Sequence, residues 1–113
     1  MDKIKKYQEL IVSFLHDFYE DKNLASEGSL DNQIIVDREH NHFQLLCVGW
    51  KGKKYFTGIY FHFDIKNEKI WIQQNNTECL VADYFTDRGV PKSDIVLGFQ
   101  PEYARPYTGF ATA

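Results

Sequence analysis

The chain is sparing with the residues that staple, break or anchor proteins. Its 113 residues include two cysteines, three prolines and one methionine, and no apolar run approaches the roughly 18 residues that suggest a membrane span. Cys47 and Cys79 stand in no CxxC or other metal-type spacing and each lies inside an apolar pattern. Core filling is therefore their expected role, and a reducing compartment their expected setting. An excess of positive charge is also missing. With a formal net charge of -3, no global field draws the chain onto nucleic acid or an anionic membrane. The opening "MDKIKKYQELIVSFLHDFYEDK" does not read as a signal peptide, because His16, Asp17 and Glu20 interrupt it and no small-residue cleavage site follows. These absences together set the expectation of a cytoplasmic protein that does not enter membranes.

What is abundant is apolar and aromatic material, 43% and 16% of residues. That is enough to fill one core, so residues 1–113 are expected to form a single domain rather than a disordered chain. Ile4, Tyr7, Ile11, Phe14, Leu15 and Phe18 recur at three- and four-residue steps, which predicts an amphipathic helix over residues 2–21. Lys3, Lys5 and Lys6 oppose its dipole, so its first turn is expected to fray. The polar run "NLASEGSLDN", with Gly28 as breaker, reads as a linker.

Beyond the linker the period falls to two. "QIIVDRE", "HFQLLCVGW", "KYFTGIYFHFDI" and "KIWIQQ" are dense in β-branched and aromatic residues, with short turns between them. Such turns join antiparallel neighbours, which predicts a four-stranded meander. In the third strand, strict alternation places Tyr55, Thr57, Ile59, Phe61, Phe63 and Ile65 on the core face. Phe56, Tyr60, His62 and Asp64 fall on the other, partly covered face. A second helix is expected over residues 78–88, capped by Asn76 or Thr77 and stopped by Gly89, with Leu80, Val81, Tyr84 and Phe85 as its buried stripe. "IVLGF" offers a fifth strand. The expected fold is α+β, a mostly antiparallel four- to five-stranded sheet with two helices packed on it.

Few residues point to chemistry. "DREHNH" gathers Asp37, Glu39, His40 and His42, suitable donors for zinc or manganese. However, hairpin turns collect these residue types without any ligand, and no metal is assigned. His62 and Asp64 alternate on one strand, with Glu68 in the following turn. A carboxylate-oriented histidine can act as a general base, and this pair is the only basis for a hydrolase or nuclease alternative. No serine or cysteine nucleophile and no glycine-rich phosphate loop accompanies it. Neither catalytic residues nor a cofactor are assigned.

Lys51, Lys53 and Lys54 form a basic tip around Gly52. These lysines are candidate DNA contacts, weak or indirect because three charges neutralise only about three phosphates. Trp71 and Trp50 are each either a stacking or interface group or core filler. Residues 100–113, "QPEYARPYTGFATA", read as an extended tail stiffened by Pro101 and Pro106. Tyr103, Arg105, Tyr107 and Phe110 are candidate partner-binding groups there, with Trp71 beside them, while docking of the tail on its own sheet is the alternative. A partly covered second sheet face also leaves room for a homo-oligomer.

The runs "FQLLCVGW", "GIYFHFDIKNEKIWIQQNNTE" and "GVPKSDIVLGFQPEYARPYTGFATA" resemble the XisI family, the fdxN element excision controlling factors. The likeness runs from the first helix to the tail, with "NNTE" standing where an acidic "DGTE"-like turn is common. It implies an accessory role in recombinase-dependent excision of a DNA element in differentiating cyanobacterial heterocysts, and it carries no catalytic or metal residue over to this chain. A companion protein of the XisH type is the partner so implied, with the recombinase complex behind it.

Overall fold

The computed structural model describes residues 2–22 and 30–113. The sequence reading of a linker around Gly28 falls mainly on residues 23–29, outside the described residues. Helix α1 spans Lys3–Asp21. Its first turn is held rather than frayed: the Asp2 carboxylate accepts from the backbone N–H of Ile4 and Lys5 at 3.0 and 3.4 Å. This N-cap supplies orphan donors with an acceptor and places negative charge at the positive dipole end, offsetting the three lysines.

Strands β1 (Leu30–Asp37), β2 (His42–Lys51), β3 (Lys54–Lys66) and β4 (Lys69–Asn75) form the expected meander. The turns carry the backbone that tight hairpins demand. Gly52 turns β2 into β3 at φ 64°, and Asn67 and Glu68 turn β3 into β4 at φ 53° and 60°. Helix α2 (Val81–Asp87) then carries the chain across to β5 (Ile95–Leu97), which pairs parallel to β4. A parallel neighbour needs a crossover of this kind. The sheet order is β1-β2-β3-β4-β5.

One face of the sheet is the core. Tyr7, Ile11, Phe14 and Leu15 of α1 pack on Phe43, Leu45, Phe61, Phe63 and Ile70, joined by Phe85 of α2. Phe14 meets Phe61 edge-on at 4.9 Å between centroids, and Phe63 meets Phe85 edge-on at 5.7 Å. These are the favoured quadrupole geometries for aromatic pairs. A polar group closes one end of this layer. The Tyr7 hydroxyl donates to the buried Asp94 carboxylate, and Lys3 pairs with the same group at 2.9 Å.

Three expectations need correction. First, β3 does not keep one face along its length. Leu45 pairs with Phe61 but Leu46 pairs with Ile59, leaving Tyr60 as a bulge residue. An inserted residue inverts the alternation. Tyr55, Thr57 and Ile59 therefore lie opposite Trp50, Val48 and Leu46, on the side of the sheet away from Phe61 and Phe63. Second, α2 begins later than residue 78. Thr77 Oγ1 donates to Asn75 Oδ1 at 2.7 Å and accepts from the Cys79 N–H, while Asn75 Nδ2 donates to Cys79 O. Those side-chain bonds hold a turn that competes with helix, and Leu80 becomes an N-cap that is 75% exposed rather than part of the buried stripe.

Third, the tail is not extended. Glu102–Tyr107 form a 3-10 helix, and Ala111 donates to Ile95 O at 2.8 Å, bridging the strand edge at Val96. The tail docks on its own sheet.

Candidate functional site

Because β2 and β3 pair with His42 opposite Asp64 and Gln44 opposite His62, the strand pleat places these four side chains on the face away from the helices. Two groups read separately in the sequence, the "DREHNH" turn and the His62/Asp64 pair, are thereby joined through His42. Asp64 Oδ1 lies 2.7 Å from His42 Nδ1 and 2.9 Å from His62 Nε2. Its Oδ2 accepts from Gln73 Nε2 at 3.1 Å. Burial opposes charge on the Asp64 carboxyl, yet hydrogen bonds from His42, His62 and Gln73 outweigh it and hold the group below its ordinary range.

The other members of the turn go elsewhere. Asp37 binds His40, accepting from its backbone N–H and facing Nδ1, both at 3.0 Å. Glu68, in the β3–β4 turn, has no hydrogen bond to this cluster.

The ligand-type atoms of His42, His62 and Asp64 lie within 4.8 Å of one another. They line an open depression of about 400 Å³ with Ile35, Asp37 and Gln44. No hydroxyl or thiol is among those lining groups, and His62 uses both ring nitrogens, Nδ1 lying 3.3 Å from Gln44 Nε2. The depression thus presents oriented imidazoles and a carboxylate without a protein nucleophile.

Gln73 shares a strand face with Trp71, which pairs with Asp64, and so reaches the cluster beside a second bulge, where Phe63 pairs with Ile72 and His62 with Gln74. Gly98 packs against it so closely that a Cβ there would collide with Gln73 Oε1 and press to 3.2 Å on the Trp71 ring.

The tail occupies the adjoining part of this face. Trp71 is 7% exposed, with Lys66 4.3 Å and Arg105 5.2 Å from its ring centroid. Arg105 donates to Gln100 O at 3.1 Å and Thr112 O at 3.3 Å, closing the tail on itself. Phe110 packs against the core cluster, with Lys92 over its ring. Trp71, Arg105 and Phe110 are therefore spent within the chain. Tyr103 and Tyr107, by contrast, are 81% and 89% exposed.

The β2–β3 hairpin ends in a second exposed group. Lys51, Lys53 and Lys54 surround the turn. Trp50, 57% exposed, packs edge-on against Tyr55 at 5.2 Å across the strands, and Lys54 lies over Phe56. Sequence reasoning found the lysines and left Trp50 open between interface and core, but missed Tyr55 and Phe56 as exposed neighbours, because Tyr55 was read on the core face and Phe56 on a partly covered one. Among the described residues no helix is long and apolar enough to cross a membrane.

The family model for the XisI protein matches residues 1–112. The chain is similar to the crystal structure of a XisI-like protein from Anabaena variabilis, with a TM-score of 0.91 and 42% identity over 97% of this chain and 99% of that one. A second crystal structure, the fdxN element excision controlling factor XisI from Anabaena variabilis, superposes with a TM-score of 0.89 and 32% identity over 99% of this chain and 100% of that one. No curated protein matches. The chain belongs to the XisI family.

Proposed function

We propose that this XisI-family chain is a non-enzymatic accessory factor that controls recombinase-dependent excision of a DNA element by binding a companion protein of the XisH type. Family membership and the excision-controlling relative support the role. The observation that carries the interaction is the state of the tail. Arg105 over the Trp71 ring and Phe110 against the core fasten residues 100–113 to the sheet, while the 3-10 helix Glu102–Tyr107 holds Tyr103 and Tyr107 almost fully in solvent. Rigid, amphipathic rings presented at little further cost in ordering are favoured anchors for a protein interface.

Co-expression with an XisH-type companion tests this. Wild type is expected to copurify with it at micromolar concentration, and Tyr103→Ser/Tyr107→Ser to lose the companion while melting at the same temperature. Failure of wild type to copurify, or retention by the double variant, contradicts it.

A second reading rests on the hairpin tip, where three lysines stand beside the exposed rings of Trp50, Tyr55 and Phe56. That combination suits phosphate contact with base stacking. Titration against the border DNA of an excised element at several salt concentrations is expected to give a log-log slope near about -2.7. No binding at low salt removes this reading.

A further inference from the structure

We propose that His42, His62 and Asp64 form a binding site for a late first-row divalent cation of the zinc type. Each offers a donor of the kind such ions take, two imidazole nitrogens and one carboxylate oxygen, and the three converge from two strands to within 4.8 Å. Tetrahedral coordination with metal–ligand distances of about 2.1 Å sets ligand atoms roughly 3.4 Å apart. His42 Nδ1 and His62 Nε2 already sit 2.7 and 2.9 Å from Asp64 Oδ1, so small ring rotations open the space between them. A metal ion would take the place of these two hydrogen bonds.

The surroundings also suit a ligand set. Asp64 Oδ2 is occupied by Gln73 Nε2 at 3.1 Å, which leaves Oδ1 aimed at both rings. Gln44 lies 3.3 Å from His62 Nδ1. With Nε2 on the metal, Nδ1 carries the proton, and the Gln44 amide turned to present its oxygen accepts it. An outer contact of this type fixes ring orientation and ligand basicity. Gly98, lacking a Cβ, leaves the space that the Gln73 amide occupies.

Asp64 is buried while the His42 side chain is 58% exposed. The site therefore opens to the depression, where three protein ligands leave a fourth position for water or a ligand from outside. Nothing in the excision-control reading requires this ion.

The test uses the full, untagged chain and zinc chloride alone. Calorimetry is expected to show one equivalent bound per chain, and cobalt substitution to give the visible absorption of a tetrahedral site. His62→Ala is expected to abolish binding and Gln73→Leu to weaken it about tenfold. His42→Ala, at a side chain 58% exposed, should weaken it more than Gln73→Leu does while the variant keeps a cooperative melt. His16→Ala, on the solvent face of α1, leaves binding unchanged. Absence of saturable binding by the wild-type chain overturns the site. So does equal affinity in wild type, His42→Ala and His62→Ala, which would assign the ion to other surface groups.

Discussion

On the helix-covered face of the sheet, Phe43, Leu45, Phe61 and Phe63 are sealed from solvent. One residue along the same two strands, His42, Gln44, His62 and Asp64 line an open depression. The backbone is shared, so the difference lies in what each face must satisfy. The covered side gains by excluding water and is filled with apolar rings. The open side carries polar groups that solvent can reach, with the buried Asp64 carboxylate held by His42, His62 and Gln73. Stability is expected to be concentrated on the first face and recognition on the second.

The sharpest way to break this comparison is to truncate on both sides. Phe14 contacts Phe61, Phe63, Tyr84 and Phe85, and Phe14→Ala is expected to cost about 3–5 kcal/mol in urea unfolding. Ile35, 44% exposed on the open face, is expected to change stability by less than about 0.5 kcal/mol as Ile35→Ser. Comparable losses would mean that the open face is a second core.

The next effect comes from Asp94, where polar groups sit on the covered side. Burial disfavours its charge, but hydrogen bonds from Tyr7 and Lys3 outweigh this and hold its carboxyl below the ordinary 3.8. A depressed folded pKa means the contribution is fully present above that ordinary value and is lost as pH falls through the lowered one. Tyr7→Phe is expected to cost about 2 kcal/mol near neutrality. It also moves the acid limb of the stability profile to higher pH, as read from melting curves between about pH 2 and 7. An unmoved acid limb would show that Tyr7 does not set the carboxyl's titration.

A smaller loss is expected at the tail. Arg105→Ala removes two hydrogen bonds to carbonyls and the contact over Trp71, for about 1–2 kcal/mol. No change in melting temperature would mean that the tail's docking does not depend on Arg105. The last expected effect is a gain. Glu68 sits at φ 60° beside Asn67 at φ 53°, a turn that favours Asn-Gly. Glu68→Gly is expected to stabilise by about 1 kcal/mol through relief of left-handed strain, and destabilisation would mean that the Glu68 side chain outweighs that relief.

Local patterns in the sequence carried the helix-covered face well. The three- and four-residue spacing from Ile4 to Phe18 became the buried stripe of α1, and the strand periods became the meander with its fifth strand. The open face was less legible because it depends on register. The bulge at Tyr60 reverses the alternation of β3, and no local signal marks it. His42 and Asp64 are brought together only by strand pairing across 22 positions. The tail was misread for a similar reason. Prolines at 101 and 106 suggested extension, whereas bonds from Arg105 to Gln100 and Thr112 hold a 3-10 turn.

Backbone hydrogen exchange of this chain, alone and saturated with an XisH-type companion, tests the division of labour most directly. Slowed exchange over Glu102–Tyr107 with α1 unchanged is the predicted result. Protection confined to the solvent side of α1, with the tail exchanging as in the free chain, would contradict it.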